Sequence, residues 1–164
     1  MDHSIVAREN GRHAGELEAL NPWGDRPPEC FLFDLEIQNI FNRLVGKVAG
    51  GRIEINFDLR CDGLWVKAHR RILVSVLRHL VRNASEAMRN ERRLSVRTRP
   101  AENGMLRLVV VDSGPGFDEK VYPLLFKKNT TTKGERRGSG LMFVRQMVEK
   151  NMGGKIRALP PEPG

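Results

Sequence analysis

Arg78-His79-Leu80-Val81-Arg82-Asn83-Ala84-Ser85-Glu86-Ala87 is the stretch on which the reading of this chain turns. Around and through it, Ile72, Leu73, Val76, Leu77, Leu80, Val81, Ala84 and Ala87 recur at helical spacing. A helix from about Arg70 to Met88 therefore presents one apolar stripe to a core. His79 and Asn83 stand four residues apart and project from one face of that helix. Ala84 and Ala87 are small enough to let the helix lie close to a neighbouring layer.

Two further segments take meaning from their order after this one. Asp112-Ser113-Gly114-Pro115-Gly116-Phe117 follows the apolar run Leu108-Val109-Val110-Val111, so the Asp112 carboxylate emerges at the lip of a hydrophobic layer. In that setting it can accept a hydrogen bond from the exocyclic amine of adenine and discriminate against bases that lack the donor. Gly114 and Gly116 let the backbone turn sharply and come close to a purine. In Thr132-Lys133-Gly134-Glu135-Arg136-Arg137-Gly138-Ser139-Gly140-Leu141, Gly138 and Gly140 open a helix whose free N–H groups form an anion site. Lys133, with Arg136 and Arg137, can neutralise phosphate charge. Each segment alone is ordinary: a surface Asn, a glycine turn, a basic loop.

The ordered set resembles the N, G1 and G2 boxes of the GHKL (Bergerat-fold) ATPases, the superfamily of gyrase, heat-shock chaperone, histidine kinase and MutL ATP-binding domains. Within it the chain looks most like the catalytic and ATP-binding domain of bacterial sensor histidine kinases of the citrate/fumarate or nitrogen-regulatory type, over roughly residues 31–158. Thr131-Thr132-Lys133-Gly134, Arg137-Gly138-Ser139-Gly140-Leu141 and Val144-Arg145-Gln146-Met147-Val148-Glu149 carry that narrower likeness. The resemblance implies an α+β two-layer sandwich. Its sheet would be mixed and mainly antiparallel, of about four to five strands, with about three helices on one face, and the last strand of the fold would be absent. It implies ATP and Mg²⁺ as cofactors, with Asn83 as the metal ligand. Asn83, Asp112, Gly114, Gly116, Phe126, Thr132, Lys133, Gly138, Gly140 and Leu141 would bind the nucleotide. Phe126 falls at the family's hydrophobic lid anchor, and Lys127 to Arg137 would be the lid.

The chain also departs from the family. His79 occupies the place of an Asn in sensor kinases or a catalytic Glu in the chaperone and gyrase branches; an imidazole can act as a base, but helix packing is the favoured role. Gly140-Leu141-Met142-Phe143 replaces Gly-Leu-Gly-Leu, and the sequence runs out where another turn and strand are expected, which would leave a sheet edge exposed. No phosphoacceptor helix hairpin precedes residue 31, so the acceptor histidine is expected on another domain or chain.

Elsewhere, Asp34 reads as an N-cap for a helix whose core face holds Leu35, Ile37, Ile40, Phe41, Leu44, Val45 and Val48, closed by Gly50-Gly51. Ile53, Ile55, Phe57 and Leu59 alternate as a strand, with Leu64 to Lys67 as its expected hairpin partner across Cys61-Asp62-Gly63. Leu94 to Thr98 and Leu106 to Asp112 pair across Glu102-Asn103-Gly104, Glu119 to Phe126 is a short helix, Ser139 to Asn151 another, and Lys155 to Leu159 the last strand. Residues 1–30 lack apolar periodicity and read as a flexible arm, 31–159 as the ATP-binding domain, and 160–164 as a proline-rich tail.

Composition narrows the partners. The 164 residues carry a net charge of +8, yet residues 1–30 hold three Arg against six Asp and Glu, so the basic excess belongs to the folded part. Aromatic content of 6% without basic-aromatic interleaving argues against nucleic acid, although Arg89, Arg92, Arg93, Arg97 and Arg99 make a basic set. No apolar run approaches the roughly 20 residues of a membrane span and no signal peptide is evident, so a cytoplasmic protein is expected. Cys30 and Cys61 lack metal-site spacing. The function expected is an ATP-dependent protein-histidine kinase module that passes the γ-phosphoryl of Mg-ATP to a phosphoacceptor histidine domain in a response-regulator pathway. The alternative is a non-catalytic nucleotide-dependent regulator or an anti-sigma-type serine kinase of the same fold.

Overall fold

The computed structural model of the chain describes residues 2–8, 27–48, 53–89, 92–117, 120, 125 and 139–159. Strand β1 (Asp2–Arg8) is followed by β2 (Glu29–Leu32), helix α1 (Phe33–Val48), β3 (Glu54–Leu59), β4 (Trp65–Ala68), helix α2 (Arg70–Ala87), β5 (Arg93–Pro100), β6 (Met105–Asp112), helix α3 (Ser139–Gln146) and β7 (Lys155–Leu159). Five strands form one sheet in the order β3-β5-β6-β1-β7, and β2 pairs with β4 in a small second sheet. The β3–β5 pair is parallel and the other neighbours are antiparallel. This is the α+β architecture expected, with a mixed, mainly antiparallel sheet.

Alternation along the central strands explains the layering. Leu94, Val96 and Thr98 of β5 and Leu106, Leu108 and Val110 of β6 are buried, while their chain neighbours are partly or wholly exposed. The register sets Val96 opposite Val110 and Thr98 opposite Leu108, so these residues share one face. Against them pack Ile37, Ile40 and Phe41 of α1, and Ile72, Val76, Leu77, Leu80 and Val81 of α2, all within one buried cluster. The apolar stripe read for the α2 helix is thus fulfilled from Ile72 to Ala84, while Ala87, its last member, is half-buried.

Five expectations change. Residues 2–8, read as part of an arm, form a strand hydrogen-bonded on both sides, to β6 and to β7. Ile5 stands in register between Leu108 and Ile156, so the segment His3-Ser4-Ile5-Val6-Ala7 supplies a sheet row rather than a linker. The sheet read as one strand short is completed from this segment. Leu64 to Lys67 does not form a hairpin with β3: β4 pairs with β2, and β3 instead lies beside β5. The cause is the turn at residues 60–64, where Leu64 N–H bonds to the Cys61 carbonyl and Phe33 N–H to the Leu64 carbonyl, drawing the chain toward the start of α1.

Asp34 lies inside the first turn of α1 and is not its cap. Its carboxylate is committed across the fold: Oδ1 accepts from Thr98 Oγ1 at 2.6 Å and Oδ2 from Cys61 N–H at 2.7 Å. Leu35, read as core, is 56% exposed because it falls on the outer side of that turn. The expected short helix Glu119 to Phe126 and the tail 160–164 lie outside the described residues.

Thr98 is fully buried, donates to Asp34 and accepts from Arg60 N–H at 3.0 Å. Thr98→Val keeps the shape and leaves both partners unsatisfied. It is expected to lower stability by about 1–3 kcal/mol, read as a reduced urea midpoint at unchanged slope; a midpoint equal to wild type would show the network to be idle.

Candidate functional site

Helix α2 is the platform of the site. One stripe of it faces the core; the adjoining stripe carries His79, Asn83 and Ala87, all half-buried, at intervals of four residues. Eight residues of helix separate His79 from Ala87, about 12 Å along the axis at 1.5 Å per residue. At one end of this stripe sits the loop after β6, and at the other the start of α3.

At the first end, β6 delivers Asp112 with 5% exposure. Its Oδ1 accepts the Gly114 N–H at 2.9 Å, and its Oδ2 is buried. Burial pushes the carboxyl above its ordinary value of 3.8, against the opposing effect of the Gly114 N–H. The loop presses on α2 so closely that a Cβ on Gly114 would stand 2.6 Å from Asp112 Oδ1 and 3.1 Å from Ala87 Cβ. Only glycine fits. Gly116 then takes φ +71°, the left-handed region that favours glycine, and Phe117 packs on the core as the loop leaves. Ser113 ties the loop to β5, its N–H donating to the Arg93 carbonyl at 3.0 Å and its Oγ accepting Arg93 N–H at 3.0 Å.

At the second end, an added Cβ at Gly140 would lie 3.9 Å from His79 Cδ2, an ordinary contact that puts the opening turn of α3 beside α2. The His79 ring packs against Phe143 with centroids 4.9 Å apart. Its Nδ1 is 2.9 Å from the Ser75 carbonyl; a carbonyl only accepts, so Nδ1 carries the proton in this bond. Leu141 and Phe143 also pack on the core, and α3 ends in a π-helical turn, Met147–Asn151, before Gly153 at φ +63°.

Asn83 lies midway between these two ends, and no hydrogen bond fixes its carboxamide among the described residues. The structure therefore gathers Asn83, Asp112, Gly114, Gly116, Gly140, Leu141 and His79 around one stretch of α2. Phe126, Thr132, Lys133, Gly138 and the lid Lys127 to Arg137 lie outside the described residues. Among the described residues no group of three or more His, Cys, Asp or Glu gathers that could hold a metal. A hard cation at this stripe could be held by the Asn83 amide oxygen, with phosphate oxygens and water in its remaining positions. Sequence reading placed Ala87 in the core stripe and noted it as a small residue; its role as the surface that Gly114 touches was not legible, nor was Phe143 as the ring against His79.

The basic set 89–99 is partly consumed by the fold. Arg92 donates to the Ser85 carbonyl and hydroxyl at 3.0 and 3.1 Å, and Arg99 pairs with Asp58. No helix among the described residues is long and apolar enough to cross a membrane.

A buried carboxylate after a strand, a glycine loop against a helix and a second glycine at a helix start, all meeting one polar stripe, define an ATP-binding domain of the α+β type. Residues 68–164 match the family described as histidine kinase-, DNA gyrase B-, and HSP90-like ATPase, and the chain belongs to it. Sensor protein FixL of Bradyrhizobium diazoefficiens is 37% identical over 116 residues, 68% of this chain and 23% of FixL. Sensor histidine kinase DcuS of Escherichia coli K12 is 42% identical over 94 residues, 56% of this chain and 17% of DcuS. The chain thus spans less than a quarter of either relative. Among solved structures, the nucleotide-free catalytic domain of histidine kinase ThkA superposes with a TM-score of 0.71 at 27% identity, covering 84% of this chain and 90% of that one.

The raised Asp112 carboxyl sets a pH test. Since the folded state holds this proton more tightly, stability falls as pH rises from about 3.8 through the raised value and stays lower above it. Asp112→Asn removes that loss, so its melting temperature should equal or exceed wild type at pH 7, and the gap should close as pH drops toward 3.8. A gap independent of pH would refute the burial account.

Proposed function

We propose that the chain is the ATP-binding catalytic module of a two-component sensor histidine kinase, working in the cytoplasm and passing the γ-phosphoryl of Mg-ATP to a histidine on a partner domain or chain that feeds a response-regulator pathway. The observation that supports this most is the convergence on α2: Gly114 against Ala87, Gly140 against His79, and Asn83 between them. An extended nucleoside triphosphate spans that distance, with its base at the Asp112 end and its phosphates at the Gly140 end.

In this reading Asp112 accepts from the adenine amine and Gly114 and Gly116 let the loop approach the ring. The N–H groups opening α3, with Gly138 and Gly140, receive phosphate oxygens, and Thr132 and Lys133 add donors and positive charge from the lid. Phe126 anchors that lid, and Leu141 seats the helix start on the core. Asn83 would hold Mg²⁺, which when bound screens phosphate charge. His79 is a positioning residue: its bond to the Ser75 carbonyl within α2 orients the ring, and its Phe143 contact joins α2 to α3. Phosphoryl transfer asks mainly for positioning and charge neutralisation, and the acceptor brings its own nucleophile.

Titration with ATP, with and without Mg²⁺, tests the site. Wild type should bind in a Mg²⁺-dependent way, and Asn83→Ala should fall to the metal-free level. Asp112→Asn should weaken ATP about 10-fold to 100-fold, as expected for losing a charged hydrogen bond of about 1.5–3 kcal/mol. Equal affinity of Asn83→Ala with and without the metal, matching wild type with Mg²⁺, would remove Asn83 from the site. Acid-labile label on a supplied phosphoacceptor domain supports transfer; tight binding without label would instead favour a regulator.

A further inference from the structure

A second polar concavity lies beside the nucleotide stripe on the same helix. Arg43 of α1 and Arg70, Arg71, Val74, Ser75 and Arg78 of α2 line an open groove of about 420 Å³. Two of its arginines serve the fold: Arg70 grips the buried Glu36 with two hydrogen bonds, and Arg43 lies 3.7 Å from the same carboxylate. Glu36 therefore neutralises one charge of four. Arg71 and Arg78 are exposed, and neither has an ion-pair or hydrogen-bond partner among the described residues.

Arg71 and Arg78 are seven residues apart, two turns on one side of α2 and about 10 Å along its axis. Carboxylates repeated two turns apart along an opposing helix match that spacing. Val74, half-buried between them, offers a small apolar footing for such a helix. The groove also has a direction. Ser75, in its wall, lies one turn from His79, and His79 touches the Gly140 end of the site. Whatever sits in the groove is held next to the place where the phosphates end.

We propose that this groove docks an acidic helical face of the phosphoacceptor protein, so that charge pairing with Arg71 and Arg78 brings the acceptor to the phosphate end of the nucleotide. The inference rests on the kinase reading above and names how its partner is recognised. Steering by such unpaired surface charges acts on encounter and is weakened by salt.

The full chain is compared with R71E/R78E and R71K/R78K, each first shown to bind Mg-ATP as wild type does and to give the wild-type circular dichroism spectrum. Two readouts follow. In the first, a fluorescent amphipathic helix with Glu at positions i and i+7 is titrated against each, beside the same peptide with Gln. Wild type and R71K/R78K should bind the Glu peptide and not the Gln peptide, and R71E/R78E should lose at least about 10-fold in affinity, or 1.4 kcal/mol. In the second, transfer from labelled ATP to the phosphoacceptor domain of sensor histidine kinase DcuS should show a KM for the acceptor at least about 10-fold higher in R71E/R78E.

Wild type that fails to prefer Glu over Gln, or R71E/R78E that binds the Glu peptide as wild type does, overturns the inference. So does transfer with an unchanged KM. Displacement of the peptide by duplex DNA at lower concentration than by free peptide assigns the groove to nucleic acid instead, and equal displacement by tripolyphosphate assigns it to a small anion. Mg-ATP binding with no transfer by wild type strikes the kinase reading, while the peptide titration still decides the groove.

Discussion

The approach of the Asp112–Phe117 loop to helix α2 is the contact on which the site depends. A Cβ at position 114 would stand 3.1 Å from Ala87 Cβ and 2.6 Å from Asp112 Oδ1, so two absences of bulk, a glycine in the loop and an alanine on the helix, set the spacing between sheet and helix at this end. The same helix face then carries Asn83 one turn back and His79 one turn further, where α3 begins. One rigid element thus fixes the relative places of three sequence segments that lie dozens of residues apart. Sites held on a helix gain precision because packing locks the supporting side chains, and here Ile72 to Ala84 provide that lock on the adjoining stripe.

Charge is handled in two opposite ways in this fold. Glu36 is buried and matched, its carboxylate held by Arg70 and approached by Arg43, so that its burial serves to join α1 to α2. Asp112 is buried at the end of β6, accepts the Gly114 N–H on Oδ1, and is shifted toward its protonated form by burial. Burial weighs against the charged form of such a carboxylate in the folded chain, and under the proposed function a bound amine donor would offset that. The contrast is one reason to read Glu36 as architecture and Asp112 as recognition. The arginines divide similarly: Arg92 and Arg99 are absorbed by internal bonds, while Arg71 and Arg78 face solvent.

Much of this was legible because it is written in local pattern. The period of α2, the alternation of β5 and β6, and the turn at Asn103 and Gly104, which take φ of 57° and 65°, follow from spacing and residue type. What escaped is set by distant pairing. Nothing within Asp2 to Arg8 announces a central strand, since a seven-residue segment with one charged residue at each end matches a linker as well as a strand; only the two vacant sides of β6 and β7 select between them. Asp34 has the composition of a cap, and its actual bonds run to Thr98 and Cys61, which no local rule connects. Leu64 to Lys67 has the sequence of a hairpin arm, but the choice between β3 and β2 as partner is made by where the turn aims the chain.

The position of β1 ties the phosphate end of the site to the first residues of the chain. Strands β6 and β7 do not pair with each other; each pairs with β1. The Asp112 end of the site hangs on β6, whose other neighbour is β5, and so belongs to the β3-β5-β6 half of the sheet. The Gly140 end hangs on α3, whose π-helical continuation packs on β7 and closes on it through the Gly154 N–H bond to the Val148 carbonyl. Among the described residues these halves are joined by β1 in the sheet and by the packing of α3 and its π-helical continuation on α2, the His79–Phe143 contact included. Opening of β1 would leave the Asp112 end standing on its own sheet and the Gly140 end resting on α2 alone. The two ends of the candidate site therefore differ in what holds them, the first on contacts local to α2 and β6, the second on α2 together with a strand supplied from more than a hundred residues away.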